Sequence, residues 1–192
     1  MFDDFKKYLQ ERIALSDDDS DFIARHSQPK KLRRKQYLLQ AGDVWKYDAF
    51  VCRGLLKLYF EDEKGQEHIL RFAPENNWTG DRESMETGLP SKYNIDAIEE
   101  TEVILILKED FEMLRKTISV FNDFVSDTLK KNLIAHQERI YVNITNTAEE
   151  KYRNFIKQFP QIANRVPLHM IASYLGISAE TLSRTRSQKG KK

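Results

Sequence analysis

Apolar positions fall at helical spacing at both ends of this chain and in short alternating runs through its middle. Over Met1–Ser27, Phe2, Phe5, Tyr8, Leu9, Ile13 and Leu15 lie near the helical period and predict a helix. Ser16-Asp17-Asp18-Asp19 then reads as a cap or turn, opening a second short helix with Phe22 and Ile23. From about Lys30 to Leu107 the pattern changes to strands: Lys31–Leu39, Asp48–Phe60, Glu67–Phe72 and Tyr93–Leu107. Turn signals separate them at Ala41-Gly42-Asp43, Arg53-Gly54, Glu63-Lys64-Gly65 and Glu75-Asn76-Asn77. Alternation puts Leu55, Lys57 and Tyr59 on one face and Leu56, Leu58 and Phe60 on the other. Short strands at this spacing predict a β-sandwich or barrel.

Helical spacing returns near Leu107. Phe111, Leu114 and Ile118 predict one short helix. A longer one follows over about Val120–Ile144, with Phe121, Val125, Leu129, Leu133, His136, Ile140 and Ile144 on a single stripe. A helix of roughly 25 residues spans about 37 Å, which suits the spine of a dimer. Thr147–Phe159 is a further helix, capped by Thr147 or Asn146 and ended by Pro160, with Gln161–Arg165 as a link.

The last stretch, Val166–Gln188, reads as two short helices joined by a tight turn. Pro167 suits a first helical position. Met170, Ile171 and Leu175 give an apolar edge, and Gly176 supplies positive φ at the turn that Ile177 plugs. Ser178 is the expected N-cap of the second helix, with Glu180 in its first turn. Leu182 packs back on Ile171 and Leu175, leaving Ala179, Glu180, Ser183, Arg184 and Arg186 outward. That face suits DNA. Arginine donates twice to a guanine edge and glutamate accepts from cytosine. The hydroxyls of Ser178 and Thr181 suit phosphate, and Lys189, Lys191 and Lys192 add nonspecific attraction.

Composition narrows the partners. The 192 residues carry a formal net charge of only +1, so a nucleic-acid site must be local. The C-terminal end supplies one: Arg165, Arg184, Arg186, Lys189, Lys191 and Lys192 face a single acid, Glu180. Charged residues, 32% of the chain, are well mixed, as in a soluble cytoplasmic protein. The one cysteine, Cys52, excludes an intrachain disulfide and a multi-thiolate metal site, and its apolar setting predicts a buried structural thiol. The N-terminus lacks a signal-peptide core, and no apolar run approaches membrane-spanning length.

A roll, a long helix and a helix–turn–helix, in that order, resemble the Crp/Fnr family of bacterial transcription regulators over nearly the whole length. Gln40-Ala41-Gly42-Asp43, Val51–Lys57 and Glu63–Glu67 are similar to the family's glycine-marked turns, and Ile171–Arg184 to its helix–turn–helix. The resemblance implies an α+β fold with three parts. These are a double-stranded β-helix (jelly-roll) sensor domain over residues 1–112, a dimerisation helix over 113–145, and a helix–turn–helix domain over 146–192 without a full wing. It implies a homodimer on a two-fold symmetric site in double-stranded DNA, with RNA polymerase as a further partner. Ala179, Glu180 and Arg184 fall where the family reads bases. Ala179 stands where the family's catabolite activators commonly carry arginine, so the base preference departs from theirs.

The resemblance also implies a small-molecule effector. In the family's cyclic-nucleotide binders a Gly-Glu pair holds the ribose, and an Arg-Ser pair after a loop holds the phosphate. Here Gly80-Asp81 matches the first pair with a shorter acid, and Ser91-Lys92 stands in place of the second, with Arg82 nearby. The phosphate arginine is absent, and lysine does not reproduce its bidentate fork. His136 and Gln137 occupy the purine-facing positions of the central helix. Standard cAMP binding is therefore not expected; the pocket is empty or takes another small molecule.

Two other readings compete. A cupin-type enzyme would need clustered histidines, but His26, His68, His136 and His169 are scattered, and no catalytic triad spacing is present. Neither a catalytic residue nor a metal ligand is assigned. The stronger rival is a sensor whose C-terminal hairpin binds protein and not DNA.

Overall fold

The computed structural model describes the backbone of residues 1–189 and the side chains of residues 1–187. The lysines expected to attract phosphate, Lys189, Lys191 and Lys192, lie outside the described side chains. Two helices, α1 (Phe2–Gln10) and α2 (Asp17–Arg25), precede eight strands. Ser16 caps α2 in a reciprocal box with Asp19. The strands are β1 (Gln28–Leu32), β2 (Tyr37–Leu39), β3 (Tyr47–Arg53), β4 (Leu56–Glu61), β5 (Glu67–Ala73), β6 (Trp78–Thr79), β7 (Asn94–Ala97) and β8 (Thr101–Leu107). A short helix, α3 (Arg82–Thr87), interrupts them. After the strands come α4 (Lys108–Thr117), α5 (Ser119–Thr145), α6 (Ala148–Gln158), α7 (Pro160–Ala163), α8 (Leu168–Leu175) and α9 (Ala179–Lys189).

The strands form two four-stranded antiparallel sheets, ordered β1-β8-β3-β6 and β2-β7-β4-β5. Three stretches read as strands are each two, and Lys31–Leu39 divides between β1 and β2, which belong to different sheets. Asp48–Phe60 breaks at Gly54, where the chain leaves one sheet for the other. Gly54 has φ +95°, and a Cβ there would come within 2.5 Å of the Glu100 carbonyl, so only glycine fits that corner. Tyr93–Leu107 likewise divides between β7 and β8, which belong to different sheets. The Arg53-Gly54 turn signal marks the crossing in Asp48–Phe60 and Glu99-Glu100 interrupts Tyr93–Leu107, but neither tells that the two halves join different sheets. Strand β6 and helix α3 are too short to leave a periodic signal.

Three apolar layers result. Leu39, Trp45, Val51, Leu56, Ile95 and Val103 fill the space between the sheets. Phe5, Leu9, Phe50, Ile104, Leu114 and Phe121 join α1, α4 and the start of α5 to the outer face of the first sheet. Leu55, Tyr59, Ile69 and Phe72 join the outer face of the second sheet to Phe155, Ile162, Ile171, Leu175 and Leu182 of the C-terminal helices. Leu55 and Tyr59 thus face away from Leu56 and Leu58, as alternation predicts. Lys57 is the polar exception on that apolar outer face. It is buried, paired with Glu67 and 3.6 Å from Asp96.

The expected link Gln161–Arg165 begins as helix α7, because Pro160 starts that helix at N1 as well as ending α6. Thr147 caps α6 in a box with Glu150. Cys52 is half-buried, not fully buried. Its Sγ lies 3.4 Å from the Met1 carbonyl, and burial pushes the thiol up to about 12, so it is unreactive.

Candidate nucleic-acid interface and effector cleft

Helices α8 and α9 meet at a turn built as the sequence predicts. Gly176 takes the left-handed conformation, φ 64°, and closes α8. Pro167 is not at the first helical position: its ψ of 146° is extended, and its carbonyl accepts the first helical bond from Met170 N–H. Ser178 Oγ accepts from Thr181 N–H at 3.1 Å and lies 3.0 Å from Thr181 Oγ1, so both hydroxyls are engaged in the cap. Leu182 is fully buried against Ile171 and Leu175. Burying Leu182 fixes the opposite face outward by helical geometry alone. Ser178, Ala179, Glu180, Ser183, Arg184 and Arg186 are exposed, and Thr181 is half-buried. The Glu180 carboxyl is held below its ordinary range by its own backbone N–H, then by Ser178 and Arg184. The exposed face therefore presents an ionised acceptor and, one turn on, a guanidinium.

This unit is fastened to the roll. The Arg165 guanidinium donates to both Glu75 oxygens, at 2.9 and 2.8 Å, and is also paired with Glu99. Ser173 Oγ accepts from Ile69 N–H at 3.0 Å and donates to the Glu67 carbonyl at 2.8 Å, tying α8 to the edge of β5. Arg139 of α5 donates to the carbonyls of Leu70 and Tyr174 and lies 4.2 Å from the Tyr174 ring. Sequence patterning assigns no role to Arg139, and it reads Arg165 only as part of the basic patch.

The expected effector residues divide. Gly80, Asp81, Arg82 and His136 line one cleft of about 360 Å³ between the roll and α5; Ser91, Lys92 and Gln137 do not line it. Asp81 is buried, accepts from Glu83 and Ser84 N–H as the cap of α3, and takes the Ser91 hydroxyl at 2.7 Å. This internal bond engages Ser91. Lys92 points to solvent, 2.9 Å from Glu83, and Gln137 is exposed. Arg82 donates to Asp48 at 3.2 Å. Burial pushes the Asp48 carboxyl up to about 6, against the pull of Arg82. A Cβ on Gly80 would come within 2.5 Å of Trp45 Nε1, so glycine permits the indole to pack there.

The stripe on α5 changes role along its length. Phe121 and Val125 are buried within the chain itself, so the expectation that they meet a second copy is corrected. From Leu129 onward the stripe emerges: Leu133 is 61% exposed, Ile140 60% and Ile144 78%. Ile134 and Tyr141 widen it. Among the described residues no three His, Cys, Asp or Glu side chains converge as metal ligands. His26 faces Asp110 at 3.0 Å and His68 faces Asp62 at 2.9 Å, in separate places. No helix among the described residues is long and apolar enough to cross a membrane.

Comparison with known proteins agrees with this architecture. Residues 29–117, most of the roll, match the cyclic nucleotide-binding domain family. No curated protein matches the chain in sequence. Solved structures match over most of its length. FixK2 of Bradyrhizobium japonicum is 19% identical, covering 86% of this chain and 85% of that one with a TM-score of 0.74. The c-di-GMP-responsive global regulator CLP of Xanthomonas campestris is 13% identical, covering 92% of each chain at 0.72. A Crp/Fnr-family transcriptional regulator from Eubacterium rectale is 14% identical, covering 92% of this chain and 85% of that one at 0.67. The chain has the fold of the Crp/Fnr regulators.

Proposed function

We propose that this chain is a DNA-binding transcription regulator of Crp/Fnr type, working as a homodimer whose roll responds to a small molecule. The observation that carries the reading is the exposed first half of α9, where Glu180 and Arg184 stand beside the Ser178 cap with Leu182 locked in the core. A helix held so presents its N-terminal side chains to base edges in a major groove. The exposed apolar strip from Leu129 to Ile144 supports the second element. An apolar strip of this extent on a helix is stable in water only when covered, and a second α5 has the matching stripe. Pairing there relates two copies of α9 by a dyad.

The test is selection from a pool of random duplexes with the intact chain, then equilibrium binding to the selected and a scrambled duplex. Arg184→Ala is expected to cost about 1–3 kcal/mol on the selected duplex and little on the scrambled one. Equal loss on both would reduce Arg184 to a phosphate contact. Absence of duplex binding even at low salt would overturn the proposal in favour of a protein-binding hairpin.

A further inference from the structure

Arg71 is the one residue of β5 whose chemistry neither the fold nor the proposed DNA face uses. It interrupts the apolar run Ile69–Ala73 and lines the cleft under Gly80, a second cavity of about 480 Å³ bounded by α5, α6 and α8, and the hollow between them and α1. Among the described residues it makes no ion pair and no side-chain hydrogen bond, and burial keeps the neighbouring Tyr174 phenol neutral. Desolvation holds its guanidinium below the usual range and, with Arg71 and Arg139 beside it, does the same to the His136 imidazolium. Arg71 is half-buried, and a partly desolvated cation facing a cleft without a carboxylate is a ready partner for an anion.

The acids that share the cleft are already engaged: Asp48 with Arg82, and Asp81 with the α3 cap and Ser91. Two further polar atoms there lack partners. Trp45 Nε1 and Thr79 Oγ1 are buried without a hydrogen bond, on side chains 4% and 6% exposed that line the same cleft. The remaining wall is apolar: Trp78, Met85, Phe111, Phe124, Leu129 and Leu133. The charge deficit and the unused donors therefore sit against an apolar chamber.

We propose that this cleft binds an amphipathic organic anion, with Arg71 as the partner of its charged group and the apolar wall as the seat of its body. The anion is received from β5, not from the loop where the family's cyclic-nucleotide binders place their phosphate arginine. A carboxylate and a phosphate ester share this chemistry. One negative charge suffices, since Arg71 is the one uncompensated arginine of the cleft. The proposal deepens the reading of the roll as an input module and is tested without DNA, so the two fail separately.

The probe is 8-anilinonaphthalene-1-sulfonate, set against the uncharged N-phenyl-1-naphthylamine of nearly the same body, on the full chain. The chain's two tryptophans, Trp45 and Trp78, both line the cleft, so quenching of their emission reports occupancy. The unsubstituted chain should bind the sulfonate about tenfold more tightly than the neutral probe, as a charge-assisted contact warrants. Arg71→Met should abolish that preference and leave the neutral probe within about twofold; Arg71→Lys should keep part of it. Competition by octanoate but not by acetate would assign a carboxylate with an apolar body, and competition by octyl phosphate but not by inorganic phosphate would assign a phosphate ester. Displacement by inorganic phosphate or acetate alone at equal concentration overturns the apolar seat. Unchanged sulfonate affinity in Arg71→Met, or equal loss of both probes with a cooperative melt retained, overturns the role of Arg71. If Arg71→Met fails to fold, Arg71→Lys carries the decision: an unchanged ratio of the two affinities refutes the proposal.

Discussion

At the scale of single residues, burial decides what each polar group is able to do. Glu180 and Asp48 are both carboxylates, yet one is exposed and held ionised while the other is buried and pushed up to about 6. An unfolded aspartate titrates near ~3.9, so the folded chain holds the Asp48 proton more tightly than the unfolded chain does. The stability that this proton supplies is complete below the unfolded value and is lost as pH rises through about 6. At pH 7 the fold carries a buried anion relieved by Arg82 and, more weakly, by Arg115. Asp48→Asn should therefore raise stability at pH 7 by about 1–2 kcal/mol, after allowing for the weakened Arg82 contact, and flatten the acid side of the stability profile. Thermal melts at pH 5 and pH 7 check this; a melting temperature at pH 7 equal to the unsubstituted chain would contradict it. Sequence patterning flags Asp81 and Arg82 as pocket groups but gives no reason to separate them from Asp48, because their partners are 10 to 34 positions away or lie in a short unforeseen helix.

At the scale of elements, the charged part of the joint between the C-terminal helices and the roll joins one residue from a link to two from turns. Arg165 brings its fork to Glu75 and Glu99, and Glu75 also accepts Gly54 N–H at 2.9 Å. Half-buried, bidentate and shared between two acids, this pair exceeds an ordinary surface ion pair. Arg165→Ala should cost about 1–2 kcal/mol in denaturant unfolding and speed amide exchange in α8 more than in α1. Arg165→Lys should restore only part, since a point charge does not reproduce the fork. Uniform exchange in both helices would show that the joint carries no local stability. Deleting Val166 onward is a poor test of the same joint, because it strips Ile171, Leu175 and Leu182 from the core they share with Leu55, Tyr59 and Phe72.

At the scale of the whole molecule, α5 is two helices in one. Its 27 residues begin in the apolar layer on the outer face of the first sheet and end as an uncovered apolar strip, so the same stripe both anchors the helix and runs out to its surface. In the dimer we propose, a change in the cleft beside Thr128, Asn132 and His136 reaches the seam through the same helix. Leu133→Asp places a charge in the middle of the exposed strip and far from the buried end. It should convert a dimer to a monomer with the far-ultraviolet spectrum unchanged; an unaltered mass by light scattering would refute the seam.

What the chain determines by itself is local or periodic. A cap or turn at Ser16–Asp19, a cap at Thr147 or Asn146, the Gly176 turn with its Ser178 cap, the alternation of Leu55–Phe60 and the stripe on α5 are legible, because each depends on neighbours within a few residues. Tertiary structure alone decides which sheet each half of a long apolar run joins, where the stripe on α5 passes from core to surface, and that Arg165 meets Glu75 and Glu99. It alone also leaves Arg71 without a carboxylate beside Trp45 and Thr79. A lone charge inside Ile69–Ala73 is visible as an irregularity in sequence. Whether it is paired depends on groups brought close by folding across two sheets and a helix, and no spacing along the chain encodes that distance.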